Sequence, residues 1–124
     1  MKAIDILEFF DLTYPGVKIS RLPEINPTEI ICEVEPSSNH AEYSTAIAAI
    51  AKSRPHFHKA STETYTVLKG ELKMNINDKT IVMKSGDTCT VNPYEVHWAE
   101  GDFTIVRVTS KPGWTPEDHI LSDN

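Results

Sequence analysis

Long apolar runs are missing from this 124-residue chain. Nothing approaches the ~18 residues needed to span a bilayer, and residues 1–20 lack the basic start, apolar stretch and small-residue cleavage site of an export signal. A cytoplasmic location with no membrane partner is the expectation. Cysteine is scarce as well: there are 2, Cys32 and Cys89, without the spacing of a metal site. A domain of this size needs no disulfide staple, so both read as buried small apolar residues. Basic clusters are absent, the formal net charge of −6 is spread along the chain, and no helix-turn-helix pattern occurs. Nucleic acid is therefore not an expected partner. There are no internal repeats and no low-complexity segments. With 40% hydrophobic and 24% charged residues, the composition is that of a globular domain with one core, whose expected partner is a small diffusible ligand.

Short β-like runs separated by turn residues begin at Glu29: EIICEVE (29–35), TAIAAIAK (45–52), ETYTVLKG (63–70), ELKMNI (71–76), TIVMK (80–84), TCTVN (88–92) and FTIVRVTS (103–110). Asn77 with Asp78 suits a hairpin turn, Ser85 with Gly86 a second, and Asn92-Pro93 stops a strand because proline donates no ladder hydrogen bond. Many short strands without a long helix predict an all-β sandwich or barrel. In ELKMNI, Leu72, Met74 and Ile76 alternate with polar residues and mark one buried face. As a strand, TAIAAIAK offers either Ala46, Ala48 and Ile50 or Ile47, Ala49 and Ala51 to the interior, a lining of mostly small side chains that leaves room for a cavity.

Residues 1–28 read as an extension wrapping the barrel, with Ile4, Leu7 and Phe10 on one face of a short helix over 3–10. The barrel itself is expected over 29–112. The tail, 113–124, is a helical cap: Thr115 suits an N-cap, Pro116 the first helical position, and Glu117 and Asp118 the first turn. Trp114 and His119 are spaced to pack together across that cap. His40, in a polar run, reads as a solvated loop residue.

His56 and His58 are two apart, which in a strand points both rings to one face. Glu63 follows after a stretch long enough for a turn. His97 lies at the end of an all-β run, where barrel closure can bring it across. Residues 56–70, HFHKASTETYTVLKG, resemble the first cupin motif, in which two histidines separated by one residue precede a glutamate and then a glycine. Residues 86–101, GDTCTVNPYEVHWAEG, resemble the second, with its opening glycine and its later histidine. The chain departs from the usual pattern at Ile50, Asn92, Tyr94 and Gly101, none of them a ligand position, and Pro93 sits one place late, so the turn before His97 is expected to be built differently.

The resemblance implies a small single-domain cupin: an all-β double-stranded β-helix, or jelly-roll, barrel of two antiparallel sheets with short terminal helical segments. It also implies a homodimer and metal ligation by His56, His58, Glu63 and His97. Three neutral imidazoles and one carboxylate suit one divalent transition metal such as zinc, nickel, manganese or iron, with one or two positions open to water, dioxygen or a chelating ligand. Glu63 and Tyr65 are the candidate catalytic residues, Tyr65 being otherwise an ordinary core tyrosine. Arg107, sharing parity with Phe103 and Ile105, and Trp98 and Tyr94, flanking His97, are candidate substrate contacts, Arg107 being otherwise a solvated end-of-strand arginine and the two aromatics otherwise simple packing residues. His119 reads as part of the cap and not as a fifth ligand. Two functions follow: a metal-dependent enzyme on a sugar, sugar acid or keto acid, with isomerase or dioxygenase chemistry, or a non-catalytic module whose metal is structural or captures its ligand.

Overall fold

In the computed structural model, which describes residues 2–122, period-two sequence and turn chemistry produce the expected short strands. The elements are α1 (Ala3–Thr13), β1 (Ile19–Leu22), β2 (Glu29–Glu35), β3 (Ser44–Lys52), β4 (His56–Phe57), β5 (Thr62–Lys69), β6 (Glu71–Ile76), β7 (Lys79–Lys84), β8 (Thr88–Val91), β9 (His97–Lys111) and β10 (Ile120–Leu121), with a 3-10 turn at Pro116–Asp118. All pairings are antiparallel and they curl into a jelly-roll barrel. The order β1-β2-β3-β9-β5-β8 forms one side and β10-β4-β9-β6-β7 the other.

Strand β9 belongs to both sides because it changes partners along its length. From His97 to Gly101 it pairs with β6, and from Thr104 to Lys111 it runs between β3 and β5. Phe103, with a φ of 50°, marks the irregularity between the two halves. Such a bulge shifts the alternation of faces by one residue. His97 and Ala99 therefore face the interior before it, and Val106, Val108 and Ser110 after it. Gly101 is held to its identity by crowding: a Cβ there would strike the Thr104 side chain, whose hydroxyl donates to the Glu71 carbonyl.

Two apolar clusters hold the fold together. Between the sheets lie Ala48, Ile50, Tyr65, Val67, Leu72, Met74, Met83, Val91, Ala99 and Val106. The second cluster sits outside the barrel, where α1 covers Ile30, Cys32, Ile47, Ala49 and Ile105. Strand β3 is thus buried on both faces, which explains its run of alanine and isoleucine without polar alternation.

The same cover corrects the helix expectation. The helix extends to Thr13, and its buried residues are Ile6 and Phe10, one i,i+4 pair, whereas Ile4 is 57% exposed. The expected spacing of three drifts off the face that a spacing of four keeps in line. Two smaller differences concern polar packing. Cys32 is buried but Cys89 only half-buried, and His40 is not a freely solvated residue, since it contacts Glu35 at 3.3 Å and packs on Tyr43. The tail carries the expected turn, as a 3-10 turn with Thr115 at its N-cap position but no side-chain cap bond. Trp114 Nε1–H donates to His119 Nδ1 at 3.3 Å, so these two residues do pack together.

Candidate metal centre

Strand β4 is only two residues long, yet it places His56 directly opposite His97 on β9. His58 follows two residues after His56, and Glu63, on β5, completes the group. The ligand atoms of these four buried residues all lie within 4.8 Å of one another, a spread that bonds of about 2.0–2.2 Å to one shared ion need close only slightly.

The orientation of the rings is set by backbone carbonyls. His56 Nδ1–H donates to Arg54 O at 2.8 Å, His58 Nδ1–H to Asp118 O at 2.7 Å, and His97 Nδ1–H to Glu95 O at 3.0 Å. Each bond leaves Nε2 as the lone-pair nitrogen facing the centre. His58 Nε2 and His97 Nε2 both sit 3.0 Å from Glu63 Oε1. His58 Nε2 is fully buried without a properly aligned hydrogen-bond partner. Three inward lone pairs beside a carboxylate repel one another unless protons or a cation lie between them, and a divalent cation satisfies all four groups at once. The donor set and its geometry fit a metal.

The electrostatics agree. Burial would raise the Glu63 carboxyl, but hydrogen bonding and charge from His58 and His97 outweigh it and hold the group well below the carboxylate range. Burial, with His97 adding, pushes His56 down to about 3, so this imidazole stays neutral. At His58 burial pulls downward, yet contact with Glu63 and the Asp118 carbonyl raises the net value.

Around the four residues lies supporting structure. Tyr65 O–H donates to Glu63 Oε1 at 3.2 Å, and Ser110 O–H to Oε2 at 3.3 Å. The His119 ring stacks on His56 with centroids 4.3 Å apart and lies edge-on to His58 at 5.6 Å. The Asp118 carboxylate accepts from the backbone N–H groups of Lys59, Ala60 and Ser61 at 2.7, 3.2 and 3.1 Å. The tail thereby clips the turn between His58 and Glu63, a role that sequence spacing did not reveal because it depends on residues 58 apart or so meeting in space. The turn before His97 has its own device: Tyr94 takes the left-handed conformation, φ 69°, at a position where the cupin pattern has glycine. It is braced by Tyr94 N–H to His58 O at 2.7 Å and Asn92 N–H to Glu95 Oε1 at 2.7 Å.

A cavity of about 590 Å³ opens beside this cluster, bordered by His56, Glu63, Tyr65 and His119 at one part and by Ala46, Ala48 and Ile50 of β3 at another. Tyr65 lines it as one of the two alternatives expected. The three candidate substrate contacts do not. Arg107 is exposed, because the bulge at Phe103 and the cover of α1 make its face the outer one. Tyr94 is 65% exposed and packs on Phe57. Trp98, opposite Asn75 on the outer side of β9, lies under the Lys52 ammonium 5.7 Å from its ring.

An antiparallel double-stranded barrel with a buried His₃Glu cluster in its wall defines a class of small β-barrels built around a candidate metal site. The cupin domain model matches residues 45–110, and the chain belongs to the cupins. Among solved structures, a protein from Planctomyces limnophilus superposes with a TM-score of 0.71 at 18% identity, covering 86% of this chain and 90% of that one. An RmlC-like cupin from Shewanella frigidimarina gives 0.68 at 20% identity, covering 85% and 90%. Pac13 of Streptomyces, described as a nucleoside dehydratase, gives 0.67 at 16% identity, covering 76% and 79%, and its variants have been solved with uridine. No curated protein matches the chain in sequence. No helix among the described residues is long and apolar enough to cross a membrane.

Proposed function

We propose that this cupin is a metal-dependent enzyme acting on a small polar metabolite, a sugar, sugar acid or keto acid, by isomerase- or dioxygenase-type chemistry. The observation that carries this reading is the direction of the three rings: every Nδ1–H is spent on a carbonyl, which leaves three Nε2 atoms converging with Glu63, all within 4.8 Å of one another, at the wall of an open cavity. His56, His58, Glu63 and His97 would hold one divalent ion, zinc, nickel, manganese or iron. Bound there, such an ion supplies Lewis acidity and a point of attachment for vicinal oxygens.

The chain's own residues do the rest. Ser110 and Tyr65 fix the Glu63 carboxylate on both oxygens. The alanines of β3 leave space, and a volume near 590 Å³ suits ligands of sugar to nucleoside size. The partly apolar walls limit water around the ligand, which strengthens polar contacts inside. A homodimer is the working state that the family resemblance implies, and a cytoplasmic location is the expectation from the sequence.

The test is a turnover screen. Protein loaded separately with each of the four metals is offered sugars, sugar acids and keto acids. Turnover with one metal, lost in His56→Ala and His58→Ala, supports the reading. Tight stoichiometric metal with ligand-induced stabilisation but no turnover assigns the non-catalytic binding role instead.

A further inference from the structure

Glu29 is the first residue of β2 and lies opposite Ile50 of β3, with its side chain on the cavity face of the barrel. It borders the same cavity as His56, Glu63 and Tyr65. Among the described residues no hydrogen bond or ion pair engages its carboxylate, although Glu63 and Tyr65 are close enough to interact with it electrostatically. Three polar groups of this wall are engaged elsewhere. Tyr65 donates to Glu63, Ser110 donates to Glu63, and Glu63 belongs to the metal cluster. A half-buried carboxylate that the protein leaves unpartnered, within the field of another carboxylate, costs stability, and such costs concentrate where a ligand supplies the missing partner.

We propose that Glu29 is the proton-transferring residue of this cavity, taking the proton of a ligand hydroxyl that is bound beside the His/Glu cluster and returning it to the product. The inference rests on the metal-dependent reading of the site and names the base that reading lacks. The step balances: the ligand O–H bond breaks with its electron pair left on the ligand oxygen, and an O–H bond forms on the Glu29 carboxylate. The ligand class follows as hydroxyl-bearing, since the step requires an O–H proton within reach of Glu29. Burial, with the Glu63 charge adding, pushes the Glu29 carboxyl up to about 7, where uptake and return of a proton are both accessible near neutral pH. The remaining charged groups bordering the cavity are Lys18, Glu33, Glu35, Lys52 and Arg54. Lys18 pairs with Glu33 at 3.6 Å, and Glu35 is engaged by His40 and Tyr43.

The experiment uses zinc-loaded protein and 4-nitrocatechol, a chelating diol whose visible band reports its ionisation. Calorimetry in buffers of differing ionisation enthalpy counts the protons released on binding. The wild type is expected to keep about one proton that Glu29→Gln passes to the buffer, with affinity falling on the order of tenfold in the variant. Glu29→Asp, which restores a carboxylate, should recover much of the retained proton. Glu29→Gln should bind zinc as the wild type does and melt no lower, because a partnerless carboxylate is removed. Equal proton release and equal affinity in wild type and Glu29→Gln would overturn the assignment. So would a clear drop in melting temperature with unchanged proton counts, which marks a structural residue. Failure of the wild type to bind zinc at all sinks the functional reading itself, and is distinguishable because the zinc titration is read first.

Discussion

Removing the Asp118 side chain isolates how the tail supports the candidate metal centre. Its carboxylate accepts three backbone N–H groups, from Lys59, Ala60 and Ser61, while its carbonyl accepts His58 Nδ1–H at 2.7 Å. Hydrogen bonds to a charged acceptor contribute about 1.5–3 kcal/mol each when desolvated. Here the carboxylate is near solvent, and water replaces it at the freed donors, so the total loss in Asp118→Ala is about 2 kcal/mol. The second effect concerns the metal. With the clip gone, the carbonyl that orients His58 is no longer held against the 59–61 turn, and a lost orienting partner typically lowers metal affinity about 10- to 100-fold. Urea unfolding of the metal-free protein reads the first effect, and zinc competition against a chromophoric chelator the second. Burial would raise the Asp118 carboxyl, but the three N–H groups lower it overall. Its contribution is therefore present above the ordinary aspartate range near pH 4 and is lost as pH falls through the depressed folded value, a loss that Asp118→Ala should not show. Lower stability with unchanged zinc affinity would refute the link from Asp118 to His58.

Three further outcomes are expected. Gly101→Ala drives a Cβ into the Thr104 side chain and the Glu71 carbonyl and should lower stability by about 1–3 kcal/mol, read as a shift in urea midpoint at constant slope. Phe10→Ala empties the cluster under α1 and should cost about 3–5 kcal/mol, whereas Ile4→Ala, at a site 57% exposed, should stay within about 0.5 kcal/mol; similar losses from both would contradict the helix phase. Metal occupancy after dialysis should fall as pH drops from 8 towards 5, because protons compete with the ion for His58, whose imidazole, despite burial, is held above its ordinary value by Glu63 and the Asp118 carbonyl.

The His/Glu cluster was legible because its members obey short rules: His56 and His58 share a strand face, and Glu63 follows one turn later. The closure that brings in His97 came from the resemblance between two motifs, not from periodicity. Arg107 does share the face of Phe103 and Ile105, but that face is the outer one beneath α1, so of its two readings the solvated one fits its exposed position. Strand β2 hides its logic in the opposite way. Ile30 and Cys32 look like the barrel-facing side, yet they pack beneath α1, and Glu29, Ile31 and Glu33 border the cavity. Which face of an alternating strand points inward depends on what covers the other face, and that cover is a helix from a distant segment. Asp118 was legible as a first-turn acid, but its hydrogen bonds to residues 59–61 exist only once the tail has folded back.

The central claim is that four side chains share one cation, and titration of the metal-free protein with cobalt(II) reads this directly through the ligand-field spectrum. One equivalent bound, with the absorption of a nitrogen- and oxygen-ligated ion that vanishes in His58→Ala and His97→Ala, is the predicted result. Saturation without a defined stoichiometry, or an unchanged spectrum in both variants, would contradict it.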